Sequence, residues 1–385
     1  MTTEETKIAS AASLLTTPAL CLAIGILSFG NTWWTLGFSI LFPVFLCKAE
    51  HRLVAFIGAL FYHLAASRSL ALSSVKFYGD DLLWGIFIWF LGNLIASSIY
   101  ALLWHKNAWI RLMLIPLALV LTAVPPLGIT GWANPLVSAG IIFPGSGIAG
   151  FFYVTALYAS LVAGTMPITK IFFAISLWCL FTGKVPLDPD INAVSTKFHK
   201  TDDLGKDDFL RHQSMISLAG KTKGKIILYP ENIISGGWTS ASKFQWTKHG
   251  LGKTVVIGAT QFTPNMSKNK SNVLVILGKS GENFYRQRQP VPFSMWRPLF
   301  DNSYEAHWFE NPVIEIENKK IGFLVCYEGF LVWPVVHSYL SGAKHLAASS
   351  NFWWAHDDEL PTIHSSIIKA WSRLFGLSYS IAVNA

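Results

Sequence analysis

The sequence predicts a polytopic α-helical membrane domain over residues 1–183, followed by an α/β domain over residues 184–385. The chain is 52% hydrophobic and only 14% charged, with a mean hydropathy of +0.40, which is too apolar for an ordinary soluble protein. Polarity changes abruptly at Gly183-Lys184-Val185-Pro186. Beyond that point, short apolar runs with β-branched residues alternate with helical patterns, which is typical of α/β folds.

The first domain contains about seven apolar stretches that we interpret as membrane spans, because a span needs about 20 apolar residues. They lie near 10–30, 32–47, 53–71, 82–104, 108–129, 150–168 and 170–183, and the second and the last are short. With the N-terminus inside, most basic loop residues fall on the cytoplasmic side, and the outer segments hold only Arg68 and Lys76. An odd number of spans then places the second domain outside the cytoplasm.

The outer connection over residues 131–149 is uncharged and rich in Gly, Pro and aromatic residues. Such a loop dips into a bilayer only where protein or a wet cavity covers its backbone. Two interpretations stay open: the rim of a lateral opening for lipid, or an ordinary interfacial loop.

Composition also narrows the function classes. The net charge of +8 is typical of loop lysines and arginines that face anionic lipid. The sequence contains no dense basic stripe interleaved with aromatic residues, which is the pattern that would indicate nucleic-acid binding. The spans hold few ionisable residues, which disfavours a transporter. The four cysteines, Cys21, Cys47, Cys179 and Cys326, form no CxxC pair and no Cys/His ligand spacing. We therefore expect no metal, no disulfide framework and no cofactor.

In the second domain the pattern predicts strands and helices in alternation, and hence mixed sheets. The expected strands are Ile191–Phe198, Lys225–Glu231, Thr254–Thr260, Asn272–Leu277, a strand ending before Cys326, and His345–Asn351; the expected helices are Gly205–Lys221 and Phe330–Ser341.

Cys326 is the first candidate site residue. The run Ile321-Gly322-Phe323-Leu324-Val325 reads as a buried strand, and an acid and a glycine follow the cysteine closely. A cysteine on a strand-to-helix turn lies near free backbone N–H groups, which favour a thiolate and an oxyanion. The alternative is a buried core cysteine.

Two further segments end or follow strands. Glu231 comes directly after a strand and a proline, where an acid in a low-dielectric pocket acts as a general base; the alternative is a helix N-cap or turn acid. Residues 285–293 are extended and proline-rich and are expected to line a cleft.

These fragments, in this order, resemble the nitrilase (carbon–nitrogen hydrolase) superfamily, which uses a Glu–Lys–Cys triad on an αββα sandwich. The resemblance rests on YPEN at 229–232, VCYEG at 325–329 and SSNFWW at 349–354. A multi-span half joined to such a domain is similar to the apolipoprotein N-acyltransferase branch, whose strand motif is matched by YRQRQPVPFSMW at 285–296. This variant most resembles relatives from conjugative plasmids and integrative elements.

The resemblance implies roles for single residues. Cys326 would be the nucleophile that forms an acyl thioester, and Glu231 the base. The family lysine falls on Gln287, and a later family glutamate on Met295. Arg286 and Arg288 share the opposite strand face and would need a register shift or a bulge to replace the lysine.

Three supporting residues have open alternatives. Glu328 would orient the acceptor or hold an arginine, or else be a surface or helix N-terminal acid. Tyr327 would shape the pocket or belong to the core. Asn351 would hold the turn at the site or lie at a plain strand end.

Two functions remain. The first is a thiol acyltransferase or amidase in a bacterial inner membrane, with its second domain in the periplasm, a phospholipid acyl donor and a protein or peptide amine acceptor. The second is a catalytically degenerate membrane scaffold that assists the conjugation machinery. Gln287 favours the scaffold, whereas the presence of both Glu231 and Cys326 favours the enzyme.

Overall fold

The computed structural model describes residues 3–199, 204–249, 252–262, 269–279 and 281–385. The chain divides into two units. The first comprises Met1–Val185, Leu331–Trp333 and Ala355–Gly376. The second comprises Pro186–Phe330, Pro334–Trp354 and Leu377–Ala385.

The helices in chain order are α1 (Thr3–Ser28), α2 (Leu41–Leu46), α3 (Arg52–Ala66), α4 (Arg68–Phe77), α5 (Leu82–Leu102), α6 (Ala108–Leu121), α7 (Ala139–Ile142), α8 (Ala149–Ala163), α9 (Met166–Thr182), α10 (Leu204–Lys221), α11 (Ser240–Lys248), α12 (Val332–Leu340) and α13 (Glu359–Phe375). Shorter 3-10 turns lie at Trp33–Ile40, Leu127–Thr130, Pro135–Ser138 and Cys326–Phe330. The helices α1 to α9 and α13 belong to the first unit.

Among the described residues, α5 is the one helix that is both long and apolar enough to cross a membrane. It begins where Asp81 caps the backbone N–H of Trp84. Counting α3 and α4 as one span raises the number to two, although a 63° bend separates them. The stretch 32–47 is divided between a 3-10 turn and α2, and the other apolar helical stretches, such as Leu15–Ser28 within α1, are shorter. The seven spans therefore stay a prediction.

The surface of the first unit carries many large apolar side chains. Leu83, Met113 and Phe181 are each more than three-quarters exposed, and each lies on a different helix. Soluble proteins rarely leave such surface uncovered over a wide area. This exposure suits contact with lipid.

The connection 131–149 is mostly buried against α13. A Cβ on Gly140 would come within 1.9 Å of the Ala370 carbonyl oxygen, so only glycine allows this approach. The backbone N–H groups of Gly145 and Gly147 donate to the carbonyls of Arg373 and Leu374. Helix α13 thus satisfies two backbone N–H groups of the connection.

The second unit contains two mixed sheets. The first has the order β1-β2-β3-β4-β5, with β1 (Ile191–Ala193), β2 (Ile226–Leu228), β3 (Thr254–Phe262), β4 (Lys270–Gly278) and β5 (Gly281–Arg286). The second has the order β6-β7-β8-β9, with β6 (Val313–Ile316), β7 (Lys319–Val325), β8 (His345–Asn351) and β9 (Ser378–Asn384). The strands β1, β2 and β3 are parallel, as are β7, β8 and β9.

The two sheets share one core. Val256 and Leu274 of the first sheet belong to the same buried cluster as Phe323 and Ala347 of the second. Because side chains alternate along a strand, Val255 points to the other face of β3 and joins a separate cluster with α10 and α11.

Helix α12 covers the outer face of the second sheet. A Cβ on Gly322 of β7 would lie 2.9 Å from the Ser338 Cβ of α12, so the absent side chain lets the helix approach. The layers are therefore α, β, β, α, which is the arrangement that the sequence resemblance implies.

Most expected elements of this unit are confirmed, and β8 has the predicted bounds. The strand expected over 191–198 ends at Ala193, because the chain then leaves β2 and Thr196 donates to Val383 of β9. The helix expected from Phe330 begins at Val332, after the 3-10 turn that follows the cysteine.

Candidate active site

Cys326 lies on a sharp turn at the carboxyl end of β7. Its φ is +47°, a left-handed conformation that a non-glycine residue rarely adopts outside functional turns. The side chain is only 5% exposed. The backbone N–H groups of Tyr327 and Asn351 lie within hydrogen-bonding range of its sulfur. The turn therefore aims both the thiol and backbone donors at one point.

Glu231 lies at the end of the first sheet and reaches the same point. Its carboxyl group is hydrogen-bonded to the Cys326 side chain. Its backbone passes directly over β3, where a Cβ on Gly258 would come within 2.5 Å of the Glu231 Cα. Only a glycine at 258 leaves room for this path.

The surroundings of Glu231 keep its carboxyl group partly protonated near neutral pH. Burial raises its pKa to about 7, and hydrogen bonds from Cys326, Asn272 and Asn351 offset part of the burial cost. Asn272 Nδ2 donates to Oε1 at 2.6 Å, and the Asn351 backbone N–H donates to Oε2 at 3.2 Å.

The Cys326 thiol is neutral in this environment. Burial raises its pKa well above the ordinary value, and the charge of Glu231 and their hydrogen bond raise it further. The two backbone N–H groups act in the opposite direction. A neutral thiol next to a carboxylate of pKa about 7 is an acid–base pair poised to pass one proton.

Gln287, at the position of the family lysine, is fully buried just beyond β5. Its Nε2 donates to the Val325 carbonyl at 3.0 Å, and its Oε1 accepts from Asn272 Nδ2 at 2.8 Å. Asn272 thus bridges Gln287 and Glu231. Sequence reasoning missed Asn272; its signal is the polar pair Ser271-Asn272 at the start of the otherwise apolar β4.

Glu328 is fully buried and accepts hydrogen bonds from four donors. These are the Tyr285 hydroxyl and the backbone N–H groups of Val325, Arg288 and Gln289. The Arg288 guanidinium also lies 3.7 Å from its Oε2. Glu328 therefore ties the segment after β5 to the cysteine turn, and it holds an arginine.

No protein-family model matches the chain. It is 30% identical over 390 residues to the conjugal transfer protein TraB of Agrobacterium fabrum, covering 95% of this chain and 91% of that protein. The chain belongs to the TraB family of conjugal transfer proteins. A second TraB, described as a probable conjugal transfer protein of Sinorhizobium fredii, is 33% identical over 94% of this chain and 97% of its own length. The predicted conjugal-transfer branch is confirmed.

Solved structures with some likeness to this TraB family member are amidases and related hydrolases. An amidase from Nesterenkonia sp. has a TM-score of 0.34 at 14% identity, with 44% of this chain and 68% of that chain covered. A carbon–nitrogen hydrolase from Helicobacter pylori has a TM-score of 0.34 at 12% identity, with 42% and 59% covered. The chain spans about three-fifths of the length of that hydrolase. The chemistry of the TraB site rests on its own contacts.

The two arginines of the TraB motif have other partners than the thiol. Arg288 is buried and donates to the carbonyls of Pro334 and Phe323, in addition to its pairing with Glu328. Arg286 is partly exposed and pairs with Glu310 at 2.5 Å. The β4–β5 pairing is regular up to Arg286, so the register shift or bulge that would move an arginine to the Gln287 face is not seen there.

Asn351 of the TraB site lies where two strand ends meet. Its Nδ2 donates to the Glu231 backbone carbonyl at 3.1 Å, and its Oδ1 accepts from Asn384 at 2.9 Å. Asn384, at the end of β9, is a further residue that sequence reasoning missed. Tyr327 is partly buried next to the cysteine, and burial raises the pKa of its hydroxyl. The structure thus brings together Cys326, Glu231, Gln287 and Asn351.

Proposed function

We propose that this chain is a membrane-embedded thiol enzyme of the nitrilase type, an acyltransferase or amidase, that acts in conjugal transfer. The observation that carries the proposal is the hydrogen bond between the Cys326 thiol and the buried Glu231 carboxyl group. In such a pair the thiol can pass its proton to the carboxylate while its sulfur attacks a substrate.

In the first half-reaction the Cys326 sulfur attacks the carbonyl carbon of an acyl donor. Its proton passes to the Glu231 carboxylate, and a C–S bond forms as the carbonyl becomes an oxyanion. When the oxyanion collapses, the bond to the leaving group breaks and that group takes the proton from Glu231. The product is an acyl thioester on Cys326 and an ionised Glu231.

In the second half-reaction an amine or water attacks the thioester carbon. Glu231 takes the proton of the attacking group, and the C–S bond breaks. The proton then returns to the sulfur. The same carboxyl group serves both steps, which suits a pKa of about 7.

The oxyanion would be held by neutral donors. The backbone N–H of Tyr327 lies within hydrogen-bonding range of the sulfur, the Asn351 N–H is shared between the sulfur and Glu231 Oε2, and Gln287 occupies the position of the family lysine. Preorganised amide donors stabilise developing negative charge without a formal cation. Because they do so more weakly than a cation, an ester donor with a good leaving group suits this site better than an amide.

The proposed location is a bacterial inner membrane, with several spans in the first unit and the second unit in the periplasm. The apolar helices and the exposed apolar side chains of the first unit support it. A phospholipid would then be the acyl donor and a protein or peptide amine the acceptor. The conjugation machinery would supply the biological context.

A second candidate is a scaffold whose catalysis has been lost. It is favoured by Gln287, which brings no charge to lower the pKa of the buried thiol. In that case the site would bind a partner of the conjugation machinery without chemistry.

The test is the intact mass of the detergent-solubilised full chain after incubation with phospholipid. A hydroxylamine-labile acyl adduct is expected on the wild type and on Cys179→Ala, a control for another buried cysteine. Cys326→Ala and Glu231→Gln should lack it. Absence of the adduct from the wild type, with conjugal transfer unimpaired in a Cys326→Ala strain, would refute the enzyme.

A further inference from the structure

Two cationic side chains of α13 lie over one aromatic ring of the first unit. Lys369 Nζ is 4.1 Å from the centre of the Trp33 ring, and the Arg373 guanidinium carbon is 4.7 Å from it. The two residues are four apart in sequence and therefore lie on the same helix face. Trp33 belongs to the 3-10 turn Trp33–Ile40. Two positive charges thus converge on a half-buried platform.

This pair of cations has no acidic partner among the residues that the structure describes. None of the ion pairs in those ranges involves Lys369 or Arg373. Burial lowers the pKa of Lys369, and the charge of Arg373 lowers it further. The Trp33 ring attracts both cations but carries no full negative charge, so it does not neutralise them. An anion between the two side chains would remove the remaining cost.

The backbone around the pair is fixed. Arg373 Nε donates to the Gly140 carbonyl at 3.3 Å, and Gly145 N–H donates to the Arg373 carbonyl at 2.7 Å. These contacts hold α13 against Trp33 and residues 139–145. An anion that bound there would meet preorganised donors.

The 3-10 turn that carries Trp33 also exposes apolar side chains. Trp34 is 53% exposed and Phe38 is 41% exposed, and their rings pack edge to face. The apolar side chains of this turn, together with the cation pair, match an amphiphile, whose charged group would contact the cations and whose hydrocarbon chain would contact the aromatic rings.

We propose that Lys369, Arg373 and Trp33 bind a phosphate group, with the phosphodiester of a phospholipid headgroup as the favoured source. Arginine matches phosphate with a planar pair of donors, and lysine adds a compact point charge. The site requires no chemistry at Cys326, so it stands or falls independently of the thiol mechanism.

The experiment is native mass spectrometry of the full-length chain in detergent, titrated with phosphatidylglycerol. The double variant Lys369→Gln/Arg373→Gln should bind the lipid about tenfold or more weakly, because each charged hydrogen bond is worth a factor of about ten. The matched control Lys223→Gln/Lys248→Gln removes the same charge from two exposed positions of the second unit and should bind as the wild type does.

Two further variants separate binding from folding. Arg373→Lys keeps the charge but loses the planar fork, so it should weaken binding by less than the double variant does. Trp33→Leu keeps both cations and should weaken binding by less than the double variant does. Thermal unfolding without lipid checks that each variant is folded. If the folded double variant binds phosphatidylglycerol as tightly as the control variant does, the proposal is wrong.

Two other probes identify the source of the phosphate. Diacylglycerol has the same chains without phosphate and should show no difference between the double variant and the control; a difference there would overturn the proposal. Inorganic phosphate at millimolar concentration should displace the lipid and raise the unfolding temperature of the wild type if free phosphate is the ligand. Lipid binding that resists inorganic phosphate identifies the headgroup.

Discussion

Glu231 and Glu328 are both buried glutamates next to the cysteine turn, yet their surroundings differ. Glu328 accepts four hydrogen bonds and faces the Arg288 guanidinium. Glu231 is held by neutral donors, and burial raises the pKa of its carboxyl group to about 7. Burial alone therefore does not decide whether a carboxyl group is structural or reactive. The partners of the carboxyl group decide its role. Glu328 is held by its pairing with a guanidinium, whereas Glu231 has only neutral donors around it and can take a proton.

The largest effect is expected from removing the charge of Glu328. Glu328→Gln would leave Arg288 buried without its counter-charge and place amide hydrogens against backbone N–H donors, and the loss of stability should be about 3–5 kcal/mol. Chemical unfolding of the detergent-solubilised protein measures it. The control is Glu310→Gln, which breaks the partly exposed Arg286 pair and should cost less than about 1 kcal/mol. Equal losses in the two variants would contradict a structural role for Glu328.

Glu231 should show the opposite behaviour when pH is varied. The folded protein keeps the proton of Glu231 up to about pH 7, whereas an unfolded glutamate loses it near its ordinary pKa of 4.5. Wild-type stability therefore falls as pH rises through this window, by up to about 3 kcal/mol. Glu231→Gln lacks the titrating group, so it should match the wild type near pH 4 and exceed it at pH 8. Parallel stability curves from pH 4 to 8 would show that Glu231 is not the group that titrates.

A cation placed near Glu231 should make its surroundings more like those of Glu328, which already has a cationic partner. Gln287→Lys would favour both the carboxylate and the thiolate, and lower each pKa by about one unit or more. Iodoacetamide labelling of Cys326, followed by peptide mass spectrometry, should then be about tenfold faster at pH 7, since one pKa unit corresponds to that factor. Gln287→Met is the neutral control. A pH–rate profile identical to that of the wild type would show that residue 287 does not influence the thiol.

The smallest effect is expected for Asn272→Ala, which removes one donor from Glu231 and one from Gln287. The pKa of Glu231 should rise further, by less than about one unit, because a single neutral hydrogen bond contributes about 1 kcal/mol. The readout is the midpoint of the labelling profile of Cys326. Asn283→Ala changes an exposed asparagine on the paired strand and should leave the midpoint in place. A shift of equal size in both variants would argue against a positioning role for Asn272.

Part of this site was visible in the sequence because strand ends leave a clear signal. A run of apolar residues stops directly before Cys326, and a second stops shortly before Glu231, so the pattern alone predicts both residues at strand ends. The bounds of β8, His345–Asn351, were likewise predicted. The packing of the two sheets against each other was predicted from the resemblance alone, because a strand pattern does not show which sheets pack together.

The donors around Glu231 were not predictable in the same way. Asn272 lies 41 positions from Glu231 along the chain, and its role depends on the pairing of β4 with β3 and β5. The open question about Glu328 had the same cause, because two of its partners, Arg288 and Gln289, come from a segment that leaves the sheet after Arg286. Such contacts depend on tertiary register, which local periodicity does not encode.

Helix α13 has a consequence for how the protein can be made. It lies between β8 and β9 in sequence, yet it belongs to the first unit, while both strands belong to the second. The polypeptide therefore leaves one unit and returns to it twice. During synthesis the first unit is completed only after α13 has been translated. A cut at residue 183 would leave the first fragment without α13, and the second fragment would carry α13 as an amphipathic helix without the other helices of its unit.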